Sequence, residues 1–173
     1  MIKTIHIFFL SLFISININA QENNNDFCEA IKTIMNDAPN HFHNIRGKNI
    51  GDNMKAVIYN CMIPVPGVIS SRFVYSNGNF YEGAIYQTQN IKDIKAYYDT
   101  CKTLFDNCII PMGYSVLQYD NFYKGCEAYK KIVYLPKLPD GTPSKDRPAH
   151  VAIEVTYSKE KNIYTLVAFI FEH

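Results

Sequence analysis

The chain has 173 residues, with 17 Lys and Arg against 16 Asp and Glu and a formal net charge of +1. No Lys/Arg run exceeds two residues, so the basic footprint that nucleic acid or a polybasic membrane contact requires is missing. Its 13 Tyr and 11 Phe, with no Trp, point to a β-rich chain of a size suited to one domain.

Residues 1–20 read as a secretory signal peptide. Lys3 supplies the positive start, and Ile7 to Ile16 (IFFLSLFISI) is an apolar run. That run is too short for a bilayer span, which takes about 20 residues. Ala20 supplies the small residue before the cut, and QENNN at 21–25 is a polar spacer. The Ala20–Gln21 junction resembles the leaders of exported Bacteroidota proteins. An exported product, periplasmic or extracellular and with no stable membrane insertion after leader removal, is therefore expected, with one α+β domain over 26–173. Cys28, Cys61, Cys101, Cys108 and Cys126 all lie in that domain. They form no CxxC pair, and in an oxidising compartment they allow up to two disulfides and one odd thiol.

The first predicted element is a helix. Asp26 and Glu29 have capping-box spacing, and Phe27, Ile31, Ile34, Met35 and Ala38 share one stripe. Pro39 and Asn40 end it, and HFHNIRGKNIGDN (41–53) reads as a connector with two glycines. Strands are then predicted over 54–63, 68–75 and 80–87, the last two joined at Asn77-Gly78, a strong hairpin turn signal. Asn90 caps a second helix with apolar residues Ile91, Ile94, Tyr98, Cys101, Phe105 and Cys108 at spacings of 3 and 4. Pro111 and Gly113 end it. Strands at 113–119 and 128–135 form one hairpin, and strands at 149–157 and 163–171 another. The final strand, IYTLVAFIF, is apolar on both faces and so belongs in the middle of a sheet. LPDGTPSKDRP (138–148) is a solvent-exposed loop.

The order α-βββ-α-ββββ implies an α+β fold, a mainly antiparallel sheet with two helices on one face. In element order it resembles secretion-chaperone-like α+β domains, and more loosely profilin-like ones. No internal repeat is visible in the sequence.

Candidate functional residues fall in four groups. Tyr119, Phe122, Tyr123 and Tyr129 lie around one turn in LQYDNFYKGCEAYKK and offer flat apolar rings with polar tips for a peptide or sugar. His150 and Glu154 share one face of a strand, where a carboxylate can orient a general base. His41 and His43 point to one side if NHFHN is extended, and a metal there would need further ligands. Cysteine catalysis has no clear nucleophile, because Cys101 and Cys108 lie on the apolar stripe of a helix. Cys101 and Cys108 are also too far apart to bridge, since seven helical residues rise about 10.5 Å and bridged Cα atoms lie within about 7 Å. With the second helix laid back over the strand from Gly113, the favoured bridge is Cys101–Cys126.

These readings lead to an exported non-catalytic binding protein, with a protein or peptide partner and no cofactor. It would be a chaperone-like, immunity-type or envelope-associated factor. The alternatives are a small periplasmic hydrolase using His and carboxylate residues, and a structural envelope component.

Overall fold

A computed structural model describes residues 24–53, 55–119, 130–144 and 149–172. Helix α1 covers residues 24–37 and continues as a 3-10 turn, Ala38–Asn40. Strands β1 (Arg46–Asn53), β2 (Ala56–Cys61), β3 (Ser70–Tyr75) and β4 (Phe80–Thr88) follow. Helix α2 (Ile91–Ile109) continues as a second 3-10 turn, Ile110–Met112, and leads to β5 (Tyr114–Tyr119), β6 (Lys130–Pro136), β7 (His150–Ser158) and β8 (Ile163–Phe171). The described strands form one antiparallel sheet in the order β1-β2-β3-β4-β8-β7-β6-β5, so the fold is α+β.

Both helices cover the same face of the sheet. The α1 stripe Phe27, Ile31, Ile34, Met35 and Ala38 is buried, and so is the α2 stripe Ile94, Tyr98, Cys101, Phe105 and Cys108. They share one core with Phe73 of β3, Tyr81 and Ile85 of β4, Ile132 and Tyr134 of β6, Val151, Ile153 and Val155 of β7, and Leu166, Ala168 and Ile170 of β8. The alternation of strand side chains selects this set. As expected, β8 runs centrally, between β4 and β7.

Several expectations are corrected. Residues 46–53 are a strand, not a connector. Edge strand β1 is polar and carries register shifts against β2, so it lacks the apolar alternation by which strands are recognised. Asp26 is no N-cap, because the chain is already helical from residue 24. Asn90 does cap α2, its side chain accepting from the Lys92 amide at 2.9 Å. The β3–β4 hairpin forms, but neither Asn77 nor Gly78 takes a positive φ; four residues make the turn, and Ser76 Oγ donates to the Gly78 carbonyl. The loop after β6 is not wholly exposed, since Ser144 is buried and its amide donates to the Pro136 carbonyl.

Helix α2 packs on β4, β8 and β7, not back over β5. The central strands offer its apolar stripe the most surface to bury. The helix also contacts α1, where Phe27 meets Phe105 edge to face at 5.1 Å and Cys28 bridges Cys108 with Cα atoms 5.2 Å apart. This pair shares no cysteine with the expected Cys101–Cys126 bridge. Cys101 is a buried free thiol facing the sheet, and Cys126 lies outside the described residues. The architecture also repeats although the sequence does not. Each half is a helix, a 3-10 turn with proline (Pro39, Pro111), a left-handed residue (His41 φ 55°, Gly113 φ 88°) and a four-stranded meander. The halves meet at β4 and β8.

Candidate partner-binding face

The sheet face turned away from the helices is read directly from the register. One row runs Arg72, Glu82, Phe169, Ala152, Val133, Leu117 across β3, β4, β8, β7, β6 and β5. A neighbouring row runs Val74, Phe80, Phe171, His150. On the other side lie Ser70, Ala84, Val167, Glu154 and Lys131, then Gln87, Thr165 and Thr156. The face is thus sorted by row: Val74, Phe80, Phe171 and His150 with Phe169, Ala152, Val133 and Leu117 make an apolar and aromatic part, and Arg72, Glu82, Gln87, Thr165, Thr156, Glu154 and Lys131 a polar one.

Four rings form the apolar part. Phe80 lies 5.9 Å from Phe169 and 5.6 Å from Phe171, and Phe169 lies 5.7 Å from Phe171. His150 stacks on Phe171 at 4.7 Å. These separations are within the range where aromatic pairs attract. Around them Val133, Leu135 and Ala152 are buried, while Leu117, Phe169 and Phe171 are half-buried. This is a second, smaller apolar cluster, separate from the core under the helices.

Beside it a groove of about 560 Å³ is lined by Ser70, Arg72, Glu82, Gln87, Thr165 and Lys161, among others. Arg72 Nη2 donates to both oxygens of Glu82 at 2.8 and 2.9 Å. The pair fixes two charges at the groove wall; its exposure makes its contribution to stability small.

His150 and Glu154 do lie on this face, opposite Val151, Ile153 and Val155, as the alternation implies. They do not form a dyad. Four strand residues span about 13 Å, and Glu154 instead pairs with Lys131 at 3.2 Å. Tyr119 ends β5 opposite Lys131. Phe122, Tyr123 and Tyr129 lie outside the described residues.

His41 and His43 are in a tight turn, not an extended segment. His41 and Phe42 both take left-handed φ, 55° and 56°. Asp37 holds the turn, its carboxylate accepting from the Asn40 side chain and from the amide and side chain of Asn44. Phe42 is fully buried and stacks on Phe73 at 4.9 Å. The His41 and His43 rings are 6.0 Å apart, and His41 Nδ1 lies 2.8 Å from Glu172, which also accepts from the Asn79 side chain. Among the described residues no three His, Cys, Asp or Glu side chains gather to hold a metal. Burial pushes the Cys101 thiol up to about 12, which keeps it protonated at neutral pH and unsuited to nucleophilic attack.

Phe80, Phe169 and Phe171 are residues of this candidate face that the sequence readings did not single out as site residues. Their signal was present: Val167, Phe169 and Phe171 alternate with Leu166, Ala168 and Ile170, giving β8 two apolar faces. Among the described residues no helix is long and apolar enough to cross a membrane. Comparison with known protein families, with curated proteins and with solved structures finds no match.

Proposed function

We propose that the protein is an exported, non-catalytic binding protein that holds a protein or peptide partner on the helix-free face of its sheet. The observation that carries this reading is the half-buried ring cluster Phe80, Phe169, Phe171 and His150 on that face. Aromatic side chains that are neither buried nor scattered are the usual anchors of protein interfaces. The charged pair Arg72–Glu82 and the polar groove beside them supply the rim such an interface needs. The Cys28–Cys108 disulfide fits an oxidising compartment, and so supports reading residues 1–20 as a leader. The segment with Phe122, Tyr123 and Tyr129 joins β5 to β6, the strands carrying Leu117 and Val133, and together with Tyr119 it is proposed to add partner contacts.

Affinity capture with the leader-processed protein from its native envelope fraction is the test. One stoichiometric protein partner is expected, and the double variant Phe169→Ala/Phe171→Ala is expected to lose it while remaining folded. Undiminished capture by that folded variant would overturn the placement of the site.

A further inference from the structure

We propose that β5 is a self-association edge, through which two copies of this chain pair antiparallel about a two-fold axis and continue the sheet. The two edges of the sheet differ. At β1, RGKNIGDN contains Lys48 and two glycines, and its pairing with β2 slips twice. Gly47 lies so close to Asn60 that an added Cβ would sit 2.4 Å from Asn60 Oδ1. A charged, irregular edge of this kind resists the addition of another strand.

The β5 edge has none of these devices. YSVLQY carries no charge, no glycine and no proline, and it pairs with β6 over all six residues without a register shift. Among the described residues no strand pairs with its outer side. Both apolar layers run out to it. Val116 and Tyr114 pack, half-buried, against the core under the helices, and Leu117 packs against the cluster on the open face.

A strand that continues both layers carries no charge and brings apolar side chains to each face, and β5 of a second copy does so with Tyr114 and Val116 on one face and Leu117 on the other. In two-fold antiparallel pairing about an axis normal to the sheet, side chains on one face meet side chains on the same face. Tyr114 and Val116 then extend the helix-side layer, and Ser115 and Leu117 extend the open-face layer. No register of this pairing sets like charges opposite each other. The inference stands apart from what the open face holds, although it would join two such faces into one surface.

Sedimentation equilibrium of the leader-processed protein tests it, together with amide hydrogen exchange read at β5. A monomer–dimer equilibrium is expected, with half-association at a concentration of about 10 μM. Exchange at residues 115–117 is expected to quicken on dilution. Ser115→Lys is expected to weaken the dimer by about tenfold or more, because an edge lysine opposes strand addition; Ile50→Lys on β1 is expected to leave it unchanged. A protein that stays monomeric at about 100 μM, or β5 protection that is independent of concentration, would overturn the proposal. So would a Ser115→Lys dimer as stable as the wild type.

Discussion

Gly83 illustrates how one residue lets a buried ring find its place. Tyr81, fully buried, lies across it, and a Cβ at Gly83 would meet Tyr81 Oη at 2.6 Å and two ring carbons at 3.0 Å. A ring packed on every side cannot retreat cheaply, so Gly83→Ala is expected to destabilise by about 1–3 kcal/mol, read as a lower urea midpoint. Buried titratable groups add a pH dependence. The Cys101 thiol stands at about 12, against an ordinary 9.0, because burial disfavours its anion. Burial raises Tyr81 and Tyr134 as well, and Tyr134 is raised further by donating at 2.8 Å to Asp106. The native chain thus keeps protons that the unfolded chain releases. Stability is intact below the unfolded value near pH 9 and falls as pH rises toward 12. Thermal midpoints across alkaline pH are the check. Burial raises the free Cys61 thiol too, so Cys101→Ala is expected to make the fall that begins at about pH 9 shallower rather than to move its onset, and an unchanged slope would contradict the assignment.

Among the elements, legibility followed apolar periodicity. All five stripe residues read for α1 are buried, and in α2 only Ile91 of six is less than fully so. Strand β1 gave no such signal, because an edge strand needs no apolar alternation to pair. The Cys28–Cys108 pairing was not legible, for a related reason. Sequence periodicity gives the face of a helix but not the strands beneath it, and α2 crosses the sheet centre, where α1 brings Cys28 to Cys108. That bond closes a loop with a sequence separation of 80 residues. On chain-entropy grounds a loop of that size contributes about 4.5 kcal/mol, and α1 is the element it ties down. Cys108→Ala is therefore expected to lower the unfolding free energy by a few kcal/mol, a large share of a marginal stability of about 5–15 kcal/mol. A loss below about 1 kcal/mol would mean that the Phe27–Phe105 contact and the α1 stripe hold the helix unaided.

At the scale of the whole molecule, two similar halves join at β4 and β8, and both place their helices on one side. The consequence is a broad sheet face covered by no helix among the described residues. The α+β class was legible because turn residues and periodicity punctuate the chain. The candidate face was legible only in part: His150 and Glu154 share the helix-free face, as strand alternation implies, but the ring cluster on it is assembled from β4, β7 and β8. Phe80 and Phe171 are 91 positions apart in the chain and become cross-strand neighbours only through the sheet order. No local pattern encodes that meeting. Site-specific photo-crosslinking in the native host tests most directly whether a partner sits there. A benzophenone side chain at Phe169, on the open face, is compared with one at Tyr97, exposed on the helix side. One discrete protein adduct is expected from position 169 and none from 97. Adducts only from position 97, or none from 169 although a partner is captured, would contradict a partner held on the open sheet face.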